Sequence, residues 1–340
     1  MMRTWVSILT LAIAAAPATA GDFFTLKGHG GPIMGVASNG AHIATASFDN
    51  SVGIWAESRP VWLEGHRAAV NAVEFIGKDY AVSAGDDFAL ILWNLGTGDG
   101  TRLVGHQGQV KSLAISPDGA LIASASWDGS IGLWPVDGGD PEFLKGHTSG
   151  VSDVVFSQDG LYLYSASFDG TIRLWDIAAG QQREQLVKHG FAVNVLVRDP
   201  ASNWIAYGAV DGATRIIALD SGEPIADFTL ERRPILAMAT DSNGDLLAVG
   251  DGQGFIMVID TTAWRIARDF RATLEGPIWA LAFSGDGENI HAGGLEDAMY
   301  SWPVATLDSY APMATDNRSF LEDPLALSNG ERQFKRKCSI

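Results

Sequence analysis

Residues Gly146 to Asp176 read GHTSGVSDVVFSQDGLYLYSASFDGTIRLWD. The runs LYLYSAS and TIRLW have strand length and are rich in β-branched and aromatic residues. Asp159-Gly160 and Asp169-Gly170 stand beside them, supplying the positive φ that tight β-turns need. The same order returns along the chain. Its late anchor position is held by Trp55, Trp93, Trp134, Trp175, Ile217, Ile259 and Trp302, at spacings of 38, 41, 41, 42, 42 and 43. Asn39-Gly40, Asp118-Gly119 and Asn243-Gly244 mark one set of turns, and Asp128-Gly129 and Asp211-Gly212 the other. Each unit is a small antiparallel sheet that cannot bury both faces alone, and radial stacking solves that.

A period near 40, with Gly-His early and Trp-Asp late, resembles the WD-repeat β-propeller family over residues 22–303. The resemblance implies an all-β, seven-bladed β-propeller of four-stranded antiparallel blades, occupying residues 21–305. Segments such as VWLEG, TRLVG and EFLKG precede each Gly-His and read as outer strands of the blade before. The first of them, Phe23–Gly28 (FFTLKG), has no blade before it, so it is expected to complete the seventh sheet and clasp the ring.

Four repeats share a spaced polar set: His29, Thr45, Asp49, Trp55; His66, Ser83, Asp87, Trp93; His106, Ser124, Asp128, Trp134; and His147, Ser165, Asp169, Trp175. These imitate Ser-His-Asp triads. An enzyme needs one such site, whereas a repeat fold needs one per unit. In the family they resemble, these residues form a buried tetrad in which Asp and hydroxyl hold imidazole and indole. No catalytic residue is therefore assigned. Repeat five keeps His189 and Asp211 but carries Tyr207 and Ile217. Repeat six has Val249, Gln253 and Ile259, and repeat seven has Ala292, Glu296 and Trp302. Apolar packing is expected to replace the tetrad there.

The formal net charge of −17 and the 39 glycines suit a turn-rich β protein and exclude a cationic nucleic-acid footprint. Residues 1–20 read as an export signal: Arg3, an apolar run from Trp5 to Ala16, then Ala18-Thr19-Ala20. Cleavage after Ala20 and a periplasmic address are expected, with no membrane span in the mature chain. Of the seven histidines, His42 and His291 lie outside Gly-His-type positions, and no accompanying ligand spacing suggests a metal.

The family resemblance also implies a working face around the mouth of a central channel, carrying the residue before each tetrad Asp. Phe48, Trp127 and Phe168 are large aromatics at those positions, suited either to anchor a partner or to cover neighbouring blades. Lys111 and Trp279, near the starts of inner strands, are expected at the same mouth.

Pro312 and Pro324 mark residues 306–328 as a linker. Residues 329–340 then read NGERQFKRKCSI, and Gly330, Phe334 and Cys338 recur every four residues. This resembles the opening helix of a c-type cytochrome domain, which leads into Cys-x-x-Cys-His. Cys338 is the only cysteine, so the chain as given carries no cofactor, and haem c is expected only if the natural chain continues past Ile340. The favoured expectation is a non-enzymatic protein-interaction platform, the binding module of a propeller–cytochrome electron-transfer protein. Its acidic surface would suit a cationic redox partner. The alternatives are a free-standing periplasmic scaffold without a redox role, and an enzyme using the central channel.

Overall fold

The computed structural model describes residues 23–56, 59–201, 203–229, 233–273 and 276–305. The expected signal segment 1–20, the linker 306–328 and the segment 329–340 with Cys338 lie outside the described residues. The described residues form twenty-eight strands in seven four-stranded antiparallel sheets, a seven-bladed β-propeller. Blade three is representative, with strands Val110–Ile115, Leu121–Ser126, Ser130–Pro135 and Glu142–Lys145 running from the axis outward. The seventh sheet takes Phe24–Lys27 as its outer strand against Ala298–Pro303, with Leu26 opposite Met299. The ring is thus clasped by the first described strand, and Leu26 packs in one cluster with Ile33, Trp55 and Met299.

The second strand of each blade is largely buried and carries small residues near its end, as in Ile43–Ser47 (IATAS) and Leu121–Ser126 (LIASAS). The reason is steric, because neighbouring sheets converge toward the axis. One position sets the spacing. Ala46, Ala84, Ala125 and Ala166 share apolar clusters with Val70, Val110, Val151 and Val193 of the next blade. In the other three blades Gly208, Gly250 and Gly293 occupy that position, and the next blade supplies Ile235, Ile278 and Ile33. A Cβ on Gly208 would lie 2.3 Å from Ile235 Cγ2, and one on Gly293 would lie 2.4 Å from Ile33 Cγ2. The larger residue fills the volume the smaller one vacates, which keeps the packing dense at all seven interfaces.

All seven inner strands carry a bulge at the same place. The extra residue is Met34, Asn71, Lys111, Ser152, Asn194, Leu236 or Trp279, and all seven line the central cavity of about 160 Å³. A bulge re-aims a side chain out of the pleat; here it repeats seven times to build the wall of one channel. Some of these residues also stitch the ring. Asn71 Nδ2 donates to the Val110 carbonyl at 2.9 Å, Ser152 Oγ to Val193 at 2.6 Å, and Asn194 Nδ2 to Ile235 at 2.8 Å, each across a blade boundary.

Candidate functional site

In blade three His106 Nδ1 lies 2.8 Å from Asp128 Oδ2, His106 Nε2 lies 2.7 Å from Ser124 Oγ, and Trp134 Nε1 donates to Ser124 Oγ at 2.8 Å. The His29, His66 and His147 sets repeat this geometry within 0.3 Å. One proton arrangement satisfies every group. The imidazole N–H donates to the carboxylate, the hydroxyl donates to the other ring nitrogen, and the indole N–H donates to the hydroxyl oxygen. That requires a neutral imidazole, and burial pushes His106 and His147 below the usual histidine range despite their Asp partners. Burial alone would raise the aspartates. Hydrogen bonds from Ser130, the Gln107 amide and His106 overcome it and hold Asp128 at about 2, and the same kind of contacts hold Asp49, Asp87 and Asp169 low. A hydroxyl already committed to an indole, with 0% of Ser124 exposed, has no path to a substrate. Chemically the tetrad holds each loop to its sheet.

Two devices cover the tetrads. Gly53 and Gly132 leave room for Trp62 and Phe143 from the outer strand, whose rings meet His29 and His106 at 4.6 Å and 5.2 Å. In blades two and four an arginine lies over the aspartate instead: Arg102 Nη2 donates to Asp87 at 2.9 Å, and Arg173 Nη2 to Asp169 at 3.4 Å.

In blades five to seven the tetrad positions are filled as expected by buried, largely apolar side chains, Tyr207 with Ile217, Val249 with Ile259 and Ala292 with Trp302, and polar pairs persist beside them. His189 Nε2 lies 3.1 Å from Asp211, and Arg215 Nη1 reaches His189 Nδ1 at 3.0 Å. In blade six Arg233 Nη1 donates to Asp251 Oδ2 at 3.1 Å and its guanidinium stacks 4.9 Å from the Phe255 ring. In blade seven His291 Nδ1 bonds Ser301 at 3.0 Å, with its pKa pushed down to about 4 by burial, and Tyr300 bonds Glu296. Asp251 escaped the spacing because it stands two residues before Gln253, at the position Ser167 holds in blade four. Buried backbone amides still need an anchor at that turn, and Asp251 accepts from the amides of Gln253 and Phe255. Among the described residues no three His, Cys, Asp or Glu side chains are grouped to hold a metal.

The residue before each tetrad Asp is fixed at one end of the ring by its own backbone. Phe48 N donates to Pro32 O at 2.9 Å, Trp127 N to Gln109 O at 2.9 Å and Phe168 N to Gly150 O at 3.0 Å, joining each loop to the start of an inner strand. Phe48, Trp127 and Phe168 are 50%, 46% and 38% exposed there. Trp127 and Phe168 meet at 5.7 Å, and Lys111 Nζ lies 4.7 Å over the Trp127 ring and 3.6 Å from Asp86. Burial lowers the Lys111 pKa, with Asp86 opposing. The structure therefore brings Lys111, Trp127 and Phe168 together. Trp279 on blade seven lines the same channel, and Phe48 is exposed on blade one.

Two further exposed aromatics, Phe88 and Phe191, were missed. Phe88 has a φ of +65°, in the turn position where Gly129 and Gly170 stand in the next blades. A bulky residue replacing turn glycine was its signal. Phe191 lies two residues beyond His189, on the loop entering blade five.

Deeper in the channel sit two carboxyl groups, Glu74 and Asp153. Burial, and then the charge of Asp153, push Glu74 up to about 8. Burial raises Asp153 to about 6 against the hydrogen bonds it accepts from Ser112 Oγ at 2.5 Å and the Leu196 amide at 2.8 Å. Those two bonds come from blades three and five, so Asp153 ties its blade to both neighbours.

Comparison with known proteins places the repeats. The WD40 family model (WD domain, G-beta repeat) matches residues 22–56, 100–135 and 141–176. A "Ribosome biogenesis protein WDR12 homolog" of Drosophila persimilis is 32% identical over 107 residues, covering 28% of this chain and 26% of that protein. "Ribosome assembly protein 4" of Chaetomium thermophilum is 54% identical over 50 residues, 14% of this chain and 10% of that one. A Gallus gallus "p21-activated protein kinase-interacting protein 1-like" is 29% identical over 116 residues, 33% and 31% of the two chains. The chain spans about a quarter of the length of the first curated relatives it matches. The periplasmic address expected from residues 1–20 is corrected by these relatives. They are eukaryotic, and two are named for ribosome biogenesis and assembly, which points away from export to a periplasm.

Proposed function

We infer that the chain, whose WD40 repeats fold as a seven-bladed propeller, serves as a protein-interaction scaffold. We propose that it binds protein partners through the channel-mouth face bearing Phe48, Trp127 and Phe168, without catalysing a reaction. The observation that carries this reading is the exposed Trp127–Phe168 pair, capped by Lys111 and fixed by backbone bonds. Aromatic side chains of this kind dominate interface energetics. The net charge of −17 favours a partner with a cationic surface. The relatives named for ribosome biogenesis and assembly fit a role in building larger complexes.

The experiment is capture of partners by the wild type and by the Trp127→Ala/Phe168→Ala double variant, with thermal unfolding of both. Loss of capture at an unchanged melting temperature supports the face, and unchanged capture refutes it. Attachment to a c-type cytochrome is proposed on Gly330, Phe334 and Cys338 alone. The residues present do not themselves fit a covalent haem, which needs a thiol pair and a histidine, since Cys338 is the single cysteine. A haem stain of the natural gene product tests that attachment.

A further inference from the structure

Blades two and four share a guanidinium seat. Its acceptors are the carbonyl of the glycine preceding the tetrad histidine and the tetrad carboxylate. Arg102 donates to Gly65 O at 3.5 Å and to Asp87 Oδ2 at 2.9 Å, and Arg173 donates to Gly146 O at 2.7 Å and to Asp169 Oδ2 at 3.4 Å. Blade three has the same acceptors, Gly105 O and Asp128, but no arginine of its own, and Gly105 O accepts from the Gln107 side-chain amide at 3.2 Å, a contact an entering guanidinium would share or displace. Phe143, opposite Gly132, takes the strand position that Arg102 takes opposite Ile91. Blade one uses the same glycine-plus-aromatic device, yet there the larger Trp62 closes it and the Asp49 side chain is 0% exposed. Phe143 leaves a gap. The Asp128 side chain is 13% exposed, against 6% for Asp87 and 5% for Asp169. A cavity of about 370 Å³ opens over it, walled by Gly105, Gln107, Asp128, Phe143, Lys145 and Gly146. Among the described residues the ion-pair partner of Asp128 is His106.

We propose that this cavity is a socket for an arginine side chain supplied by a protein partner, which would occupy in trans the place that Arg102 and Arg173 occupy within the chain. This rests on the interaction-platform reading and names the chemistry the partner must offer. Asp128 accepts one arm of the guanidinium and Gly105 O another, while the Phe143 ring offers a surface for the planar cation. A lysine ammonium is a point charge and cannot span carboxylate, carbonyl and ring together. Asp169, with five hydrogen-bond contacts including Arg173, shows that a tetrad carboxylate already bonded to histidine, backbone and hydroxyl still accepts a guanidinium. Lys145 on the cavity wall opposes a cationic guest and sets the affinity. Trp127 immediately precedes Asp128 and packs on Gly150, so a segment that seats an arginine here passes over the exposed aromatic pair.

The test is an NMR titration of the full chain with acetyl-arginine-amide and with its neutral isostere, acetyl-citrulline-amide. The arginine compound should shift the Gly105, Gln107 and Gly129 amides saturably, with citrulline weaker by about tenfold or more. Lys145→Glu should tighten arginine binding. Phe143→Arg, which supplies a guanidinium from the Arg102 position, should abolish it in a chain that still melts cooperatively. Equal binding of citrulline, or Lys145→Glu weakening the complex, overturns the socket; so does undiminished binding by folded Phe143→Arg. If Phe143→Arg does not fold, the citrulline and Lys145→Glu arms decide. The Trp127→Ala/Phe168→Ala variant should titrate like wild type, so failure of the socket stays separate from failure of the aromatic face.

Discussion

Replacing Ser124 by alanine tests whether the tetrad is structural cement. The hydroxyl is completely buried, lies 2.7 Å from His106 Nε2 and receives the Trp134 indole N–H at 2.8 Å. Alanine removes one oxygen and leaves two buried groups, an imidazole nitrogen and an indole N–H, without partners. Each orphan costs about 1–3 kcal/mol, so Ser124→Ala should destabilise the protein by about 2–5 kcal/mol. Ser124 is 0%, Trp134 3% and His106 5% exposed, so the orphaned groups have little contact with solvent. The assay is urea unfolding followed by circular dichroism, with native-state hydrogen exchange to localise the loss to the strands of blade three. Thr45→Ala, Ser83→Ala and Ser165→Ala should cost similar amounts, since each hydroxyl holds the same pair of bonds. A loss below about 0.5 kcal/mol in all four would refute the reasoning, because it lies within the range of surface substitutions. Abolition of a hydrolytic activity by one variant at unchanged stability would instead revive the catalytic reading.

Gly208→Ala should cost about 1–3 kcal/mol through overpacking against Ile235, and Ile235→Val should recover part of it. A double-mutant cycle with coupling below about 0.5 kcal/mol would show that the interface does not exchange volume across blades. Gly132→Ala places a Cβ 2.5 Å from Trp134 Nε1 and 2.7 Å from Ser124 Oγ, and should destabilise by about 2–3 kcal/mol in thermal or urea melts. Phe88→Gly relieves a left-handed bulky residue and should stabilise by about 1 kcal/mol, while weakening partner capture if Phe88 belongs to the face. Glu74, with a folded pKa near 8 against 4.5 in the unfolded chain, binds more protons when folded, so its contribution to stability falls as pH rises from about 4.5 to 8. Glu74→Gln should flatten that slope in urea midpoints measured across the range; an unchanged slope would remove Glu74 as its source.

The repeat was legible because a propeller writes the same physical problem into each unit. Trp55, Trp93, Trp134 and Trp175 recur beside Asp-Gly and Asn-Gly turns because every blade must bury an indole and reverse its chain tightly. The clasp by Phe24–Lys27 could be read because seven inner sets left one outer strand missing. The anchors of blades five to seven could not be read so simply. Arg233 and Asp251 sit 18 residues apart at positions the tetrad spacing never visits, and only the folded turn brings them to 3.1 Å. The same holds for Phe88 and Phe191, whose exposure depends on the direction of a loop.

The sequence by itself determined the period, the number of blades and the identity of the four tetrads, since these follow from local pattern and from the residue types a buried turn requires. The tertiary structure alone decided which side chains share space across blade boundaries. Ala or Gly opposite Val or Ile, Trp127 against Phe168, and Glu74 near Asp153 in one channel all join residues from different repeats. Ring closure at a radius set by side-chain volume, rather than any local propensity, sets those distances. The seat over Asp128 lies within one blade, yet it too depends on tertiary packing, because it exists only where Phe143 is smaller than Trp62 and no arginine reaches across.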